Sequence, residues 1–267
     1  MATTPGGVAA VSARLWKLAS QSVEVLAPSE TRRLVLARVE DEWEAERVVA
    51  AVRSNGHLAV TRPDEGVRLE AWMRHTQPLT FGNRLSVCFA WSEHDRTGLP
   101  GVVELGAGGF GNAEHPATRL VLELLADRIA GGERVLDAGC GSGVLGLCAL
   151  ELGAASVVAA DIEPQAIEAT RRNAALNGMD SRIEASISSI AELDGTFDVV
   201  VANIGRAAIV ELAPQLVRRV APDGWLAVSG ISPPQCSQVA DFLRPLVELE
   251  RHTCGEWSSV VLVHGAN

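Results

Sequence analysis

The stretch RVLDAGCGSGVLGL, residues 134–147, decides the fold. It starts as a short apolar strand, passes through an acidic residue and three glycines at every second position, and ends as an apolar helix. Glycines at such a junction let the backbone turn sharply and let a ligand approach it closely. The start of the following helix carries partial positive charge. This order is typical of a nucleotide-type cofactor site at the carboxyl end of a parallel sheet.

The segments around this stretch alternate between strand-like and helix-like patterns. Strands are predicted at residues 134–139, 156–161, 181–186, 197–204, 225–231 and 256–265, and helices at 115–130, 143–154, 163–178, 207–224 and 235–247. The inner strands are continuous apolar runs, as expected when helices cover both faces of a sheet. The alternation predicts an α/β fold with a doubly wound, mostly parallel, Rossmann-like sheet.

The N-terminal part of the chain has a different pattern. Residues 1–75 show predicted helices at 11–20 and 41–56 and predicted strands at 32–40 and 57–63, which indicates a small α+β domain. Residues 76–109 are expected to be a connector with short strands, and residues 110–267 to be the cofactor-binding domain.

Composition excludes several classes of protein. A net charge of -10 argues against binding to nucleic acid through phosphates and against docking on an anionic membrane. The five cysteines show no C-x-x-C spacing, which favours free thiols in a cytoplasmic protein over disulfides or a metal site. The sequence lacks a secretory signal pattern and any run near the roughly 18–20 apolar residues of a membrane span.

The glycines fit two cofactor patterns, of which the first is the dinucleotide pattern G-x-G-x-x-G. Gly141, Gly143 and Gly146 satisfy it, and Asp161 lies 20 residues after Gly141, where that pattern places an acid for the ribose. An oxidoreductase that binds NAD or a flavin is therefore one interpretation. A single match to this short pattern is weak support.

The second pattern is D-x-G-x-G-x-G, which is typical of S-adenosylmethionine-dependent methyltransferases. It uses Asp137, Gly139, Gly141 and Gly143, and the predicted strand ends near Ala138, so that Gly139 is the first turn residue. A pyrophosphate does not require a carboxylate at the strand end. A ligand with an ammonium and a sulfonium group can use Asp137. These two points favour S-adenosylmethionine as the cofactor.

Asp161 and Ile162, at the end of the strand predicted at 156–161, are candidates for binding the rest of the cofactor. Asp161 ends that strand, and its carboxylate can accept hydrogen bonds from both ribose hydroxyls. The alternative for Asp161 is to cap the helix that starts near Pro164. Ile162 can pack on the adenine ring, or can be an ordinary core residue.

Three further segments carry a family resemblance: GFGNAEHPATRLVLELL at 109–125, FDVVVANIGRAAIVEL at 197–212 and WLAVSGISPPQ at 225–235. Together with the cofactor loop they resemble the PrmA-type family, which methylates the eleventh large-subunit ribosomal protein. The residues that match the family's motifs are Phe110, Gly111, His115, Pro116, Thr118, Asn203, Ile204, Ser229, Gly230 and Ile231. The resemblance covers residues from about 70 to the end and is faint before that.

The resemblance implies a seven-strand methyltransferase sheet, a small N-terminal substrate-recognition domain and S-adenosylmethionine as cofactor. It implies N-methylation of lysine or α-amino groups of a protein partner, such as a ribosomal protein. A small-molecule N- or O-methyltransferase on the same scaffold is the alternative. The NAD-binding oxidoreductase and a non-catalytic cofactor-binding protein are kept as further alternatives.

The sequence departs from the family's usual Phe-Gly-Thr-Gly-Thr-His-Pro-Thr-Thr loop. It has Asn112, Ala113 and Glu114 in the middle of that loop and Ala117 in place of the first paired threonine. Gly205 replaces the leucine or similar residue that follows Asn-Ile in the family. Because the resemblance places this loop at the methyl-transfer site, the fold and the cofactor carry over more securely than the ribosomal substrate.

Five residues are candidates for methyl transfer and substrate binding. Asn203 ends the central predicted strand, where its amide oxygen can hold an acceptor amine in line with the methyl group. His115 is a candidate base or a structural residue at a helix start, and Thr118 can contact the cofactor's carboxylate or stabilise that helix. Glu114 can contact a cationic substrate or favour the helix N-terminus. Ser229 is expected in a loop near the substrate opening.

Overall fold

The computed structural model describes residues 77–92, 94–106 and 113–265 with their side chains, and near the N-terminus Val48 and the backbone of three short strands. The chain divides into two compact units, Met1–Arg68 and Leu69–Asn267. In the first unit the strands β1 (Ala2–Thr3), β2 (Ser22–Leu26) and β3 (Arg33–Arg38) form an antiparallel sheet in the order β1-β3-β2.

Strand β3 confirms the strand predicted at 32–40. The helix predicted at 11–20 and the strand predicted at 57–63 lie outside the described residues. The same holds for the helix predicted at 41–56, apart from Val48, which is helical.

The segment expected as a connector forms a small sheet of its own. Strands β4 (Leu79–Phe81), β5 (Leu85–Phe89) and β6 (Val102–Leu105) are ordered β4-β5-β6, and β5 is buried along its whole length. Side chains from all three strands, such as Phe81, Val87 and Leu105, belong to the hydrophobic core of the second unit. The segment is thus part of the larger unit, because its apolar face is covered by that unit's helices.

The main sheet of the second unit has seven strands in the order β12-β13-β11-β10-β7-β8-β9. The strands are β7 (Arg134–Ala138), β8 (Ser156–Asp161), β9 (Ile183–Ile187), β10 (Phe197–Asn203), β11 (Val220–Ile231), β12 (Leu246–Cys254) and β13 (Trp257–His264). Strands β7 to β11 pair in parallel, and β13 runs antiparallel to both of its neighbours. This arrangement confirms the predicted doubly wound seven-strand sheet.

Among the residues that the structure describes, five α-helices cover the two faces of this sheet. They are α1 (Pro116–Arg128), α2 (Val144–Glu151), α3 (Pro164–Leu176), α4 (Arg206–Arg219) and α5 (Cys236–Phe242). Successive strand residues point to opposite faces. Val135 accordingly packs in a core with α1, α2 and α3, and Leu136 packs in a second core with α4 and α5.

Strand β12 was missed by the sequence patterns, which showed only six strands in this region. It is an edge strand, and apart from Leu246 and the half-buried Glu250 its residues are exposed. Val247 and Leu249 are exposed, and this strand lacks the continuous apolar run by which the inner strands were predicted. The helix predicted through residue 247 is therefore wrong at its end, since α5 stops at Phe242 and β12 starts at Leu246.

The helix predicted through residue 224 is also too long, because α4 ends at Arg219. Val220 already pairs with Phe197, whereas Trp225 pairs with Val199, so residues 221–224 bulge opposite a single residue of β10. At Gly224 an added Cβ would lie 2.8 Å from the carbonyl oxygen of Asp198. The bulge thus requires glycine where it touches the neighbouring backbone.

We expect Gly224→Ala to lower the free energy of unfolding by about 1–3 kcal/mol, because a methyl group there overpacks against rigid carbonyl groups. The control is Gly205→Ala, since a Cβ at Gly205 meets nothing within 4 Å and its φ is -63°. Urea denaturation measures both. Equal losses for the two variants would show that the contact at Gly224 is unimportant.

Candidate functional site

The site lies where the strand order of the main sheet reverses. Strand β7 pairs with both β8 and β10, and the chain leaves β7 toward one side and returns on the other. In such sheets a crevice opens at the carboxyl ends of the strands at this point. Asp137 near the end of β7, Asp161 at the end of β8 and Asn203 at the end of β10 therefore share one edge.

The three glycines of the cofactor loop all adopt left-handed backbone conformations. The φ angles of Gly139, Gly141 and Gly143 are 77°, 55° and 79°. A Cβ at Gly139 would overlap the side chain of Ile204, and one at Gly143 would lie 2.8 Å from the Cγ2 methyl of Thr170. The tight turn and the close approach of the flanking elements thus both require glycine.

The carboxylate of Asp137 is buried, and only one of its two oxygens has a hydrogen-bond partner among the described residues. It is 1% exposed, and its Oδ2 accepts a hydrogen bond of 3.0 Å from the backbone N–H of Gly146 in α2. Its Oδ1 has no partner among the described residues. Burial raises the pKa of Asp137 from 3.8 to about 7, with a smaller contribution in the same direction from Asp161 and an opposing one from the Gly146 N–H. A cationic ligand group would complete this site.

Asp161 makes two backbone contacts, of which the one at the start of α3 corresponds to its predicted role beside that helix. Its Oδ2 accepts a hydrogen bond of 3.0 Å from the N–H of Gly141 in the cofactor loop, and its Oδ1 accepts one of 3.0 Å from Glu163 at the start of α3. The neighbouring Ile162 is 78% exposed, and Ile187, which pairs with Asp161 across β9, is 57% exposed. Two apolar side chains that face solvent thus flank the carboxylate, and the sequence patterns indicated only the first.

Asn203, at the end of β10, is hydrogen-bonded to Thr118. The Asn203 amide donates a hydrogen bond of 3.0 Å from Nδ2 to the hydroxyl oxygen of Thr118, which is 1% exposed in the first turn of α1. Thr118, predicted to contact a cofactor carboxylate, is here the orienting partner of Asn203. The amide oxygen of Asn203 accepts no hydrogen bond from the part of the chain that the structure describes, so it is available to a donor in the crevice.

His115 is the N-cap of α1. Its Nδ1 accepts a hydrogen bond of 3.1 Å from the N–H of Ala117, and its ring meets that of Trp257 edge to face at 4.8 Å. Burial lowers the pKa of His115 to about 4, so the ring is neutral at pH 7 and a weak base. This environment supports the structural alternative over the predicted catalytic base. Glu114, the predicted substrate contact, is half-buried directly before this cap.

The prediction that Ser229 lies in a loop is wrong. Ser229 is a fully buried residue of β11, and its hydroxyl lies 3.1 Å from the carbonyl oxygens of both Ala117 and Ser258. It therefore ties α1 and β13 to β11 and does not line an opening. Gly230 beside it has a φ of 83°, and a Cβ there would lie 2.6 Å from the carbonyl oxygen of Ile204.

Two supporting residues of α3 were not predicted. The Thr170 hydroxyl donates a hydrogen bond of 3.1 Å to the carbonyl of Gly141, and the Asn173 amide donates one of 2.8 Å to the carbonyl of Ser142. Both side chains are buried. The only available signal was the presence of two polar residues, three positions apart, on the apolar face of a helix.

Some motif residues cannot be placed in this site. Phe110, Gly111 and Asn112 lie outside the described residues.

Within the described part of the chain, no helix is long and apolar enough to cross a membrane.

The chain is similar in sequence to proteins of one family. The sequence model of the family called ribosomal protein L11 methyltransferase (PrmA) matches residues 11–264. A ribosomal protein L11 methyltransferase of Vibrio cholerae serotype O1 is 35% identical over 233 residues, which cover 84% of this chain and 79% of that protein. One from Geobacter sp. strain M21 is 40% identical over 200 residues, which cover 72% of this chain and 60% of that protein.

A solved structure shows the same similarity. The crystal structure of a ribosomal protein L11 methylase from Lactobacillus delbrueckii subsp. bulgaricus superposes with a TM-score of 0.66 at 28% identity. The match covers 72% of this chain and all of that one. The family model spans nearly the whole chain. In this chain the glycine loop and the ends of β7, β8 and β10 lie at one edge of the sheet. The chain therefore belongs to the ribosomal protein L11 methyltransferase family.

Proposed function

We propose that the protein transfers methyl groups from S-adenosylmethionine to amino groups of a protein, with ribosomal protein L11 as the acceptor that its relatives' names indicate. The observation that carries the proposal is the unpartnered buried oxygen of Asp137 beneath a three-glycine turn at the reversal of the sheet. Because ribosomal proteins are made in the cytoplasm, the proposal places the reaction there.

The residues of the crevice fit this cofactor. The Asp161 carboxylate can accept the ribose hydroxyls in addition to its two backbone contacts, and the exposed Ile162 can cover the adenine. Asp137 offers its free oxygen to the positive end of the cofactor, which carries both an ammonium and a sulfonium group. A dinucleotide fits less well, because a buried carboxylate beside the glycine turn would repel its pyrophosphate.

The cofactor supplies an activated methyl group on sulfur, and the protein must present a nitrogen lone pair in line with it. An acceptor amine must therefore lose its proton, which a dry crevice favours by lowering the pKa of a lysine. The amide oxygen of Asn203, held by Thr118, can accept an N–H of the neutral amine and aim its lone pair. His115 is not needed as a base, and Glu114 remains part of the proposal as a contact for a cationic acceptor.

One observation favours a small-molecule acceptor as the second candidate. Gly205 follows Asn203 and Ile204 at the crevice, and a Cβ built on it meets nothing within 4 Å. This glycine stands where the family resemblance places a leucine or a similar residue. The open space can admit a different acceptor group without any change to the cofactor residues.

For the cofactor, we expect S-adenosylmethionine at 100 times its Kd to stabilise the protein by about 2.7 kcal/mol, and NAD to have no effect. Asp161→Ala should abolish most of that stabilisation, because the carboxylate positions both the ribose and the Gly141 N–H. Glu168→Ala, on the exposed side of α3, is the control. Thermal unfolding measures the effect of each ligand on the wild type and the effect of S-adenosylmethionine on the two variants. Stabilisation by NAD alone would contradict the cofactor assignment, and an unchanged shift in Asp161→Ala would contradict the ribose role.

For Asp137, we expect a pH-dependent cost in the cofactor-free protein. Its pKa is raised on folding, so its contribution to stability is fully present below about pH 4 and is lost as the pH rises through about 7. The free energy of unfolding of the wild type should therefore fall relative to Asp137→Asn by about 1–3 kcal/mol between pH 5 and pH 8, since one proton changes it by about 1.4 kcal/mol per pH unit. Urea titrations at the two pH values measure the difference. A difference that does not change with pH would contradict the raised pKa.

For the acceptor, we expect transfer of labelled methyl from S-adenosylmethionine to purified ribosomal protein L11. Asn203→Ala should lower the rate at least about 100-fold, within the range that positioning of reactants provides. Thr118→Val should lower it about tenfold, because it removes only the partner that orients Asn203. Absence of labelling, with cofactor binding intact, would exclude this acceptor and favour the small-molecule candidate.

A further inference from the structure

Helix α3 presents a row of polar side chains to the cofactor loop and to β6. Thr170 and Asn173 are three residues apart on one face of the helix, and Asn177, four residues further on, is the residue that caps its C-terminus. Thr170 and Asn173 are buried, at 0% and 2% exposure. Buried polar side chains on a helix need specific partners, and these find them in two separate segments of the chain.

The amide of Asn173 bridges those two segments. Its Nδ2 donates a hydrogen bond of 2.8 Å to the carbonyl oxygen of Ser142 in the cofactor loop. Its Oδ1 accepts one of 2.8 Å from the N–H of Gly106, the residue after β6. The amide supplies both a donor and an acceptor, whereas an ionised aspartate only accepts and a leucine does neither, so neither can replace both bonds.

The loop is held from two sides. The N–H of Gly141 donates to Asp161, while its carbonyl accepts from Thr170 at 3.1 Å. The same threonine lies so close to Gly143 that a Cβ there would be 2.8 Å from its methyl group. Helix α3 is therefore the support on which the loop rests, and Asn173 extends that support to the next residue, Ser142.

We propose that Asn173 is a positioning residue for cofactor binding: it fixes the cofactor loop relative to the end of β6 before the ligand arrives. A loop that is already ordered loses less conformational entropy on binding, so this contact strengthens the affinity for the cofactor. The inference rests on the proposed function, because it takes S-adenosylmethionine as the ligand of this loop. It assigns Asn173 no contact with the reacting atoms.

Asn177 provides a matched control. Its amide accepts a hydrogen bond of 2.7 Å from the N–H of Glu104 and donates bonds of 2.7 Å to the carbonyls of Glu104 and Asn173. It thus joins the same helix to the same strand through more bonds than Asn173 makes, but it does not touch the cofactor loop. A general loss of stability in this region would affect both asparagines alike.

The test compares Asn173→Leu and Asn177→Leu with the wild type in the full chain. Isothermal calorimetry gives the Kd for S-adenosylmethionine, and thermal unfolding gives the Tm without ligand. We expect the Kd of Asn173→Leu to rise about tenfold, equivalent to about 1.4 kcal/mol. The Kd of Asn177→Leu should stay within about twofold while its Tm falls at least as far. In a methyl-transfer assay Asn173→Leu should raise the KM for S-adenosylmethionine and leave kcat within about twofold.

Two outcomes would overturn the inference. One is an unchanged Kd in Asn173→Leu, and the other is an equal rise in both variants that follows their loss of Tm. If Asn173→Leu does not fold, Thr170→Val tests the same support, because it keeps the shape of the side chain and removes the bond to Gly141; an unchanged Kd there would also overturn it. If the wild type does not bind S-adenosylmethionine, the proposed function itself fails, and that result is distinct from the other two.

Discussion

The parallel pairing of β7 with β10 is the constraint on which the rest of the site depends. It places Val199, Val200 and Val201 beside Val135, Leu136 and Asp137, and so brings the ends of two distant segments to one edge. The buried carboxylate beneath the glycine turn and the amide at the end of β10 thus lie at the same edge of the sheet. Helices cover both faces of these strands, and a ligand site in such a sheet lies at the carboxyl ends of the strands.

The electrostatics of the crevice follow from burial. A buried carboxylate oxygen without a hydrogen-bond partner lowers the free energy of unfolding, and Asp137 carries such an oxygen. Natural structures keep such a group where a ligand completes its coordination. Burial raises the pKa of Asp137 but lowers that of His115, whose ring is therefore neutral at pH 7. For both Asp137 and His115, burial is thus the largest cause of the shift in pKa.

How much of the structure could be predicted depended on the environment of each segment. The inner strands and the glycine turn were predicted because few other folds combine continuous apolar runs with glycines at this spacing. Strand β12 was missed because an edge strand is largely exposed, and Ser229 was assigned to a loop although the strand predicted at 225–231 already contained it. Asn173 was missed because its partners are 31 and 67 residues away, and only the folded chain brings them together.

The antiparallel direction of β13 also determines how this enzyme family can diversify. Ser258 near the start of β13 pairs with Ile231 at the end of β11, so the turn between β12 and β13 emerges at the cofactor edge, and Trp257 meets His115 there. That turn is exposed, and the sheet does not depend on its length. Insertions or substitutions in it would change the surface beside His115 and leave the residues around the glycine loop as they are. The surface at this turn and the glycine loop can therefore vary independently of each other.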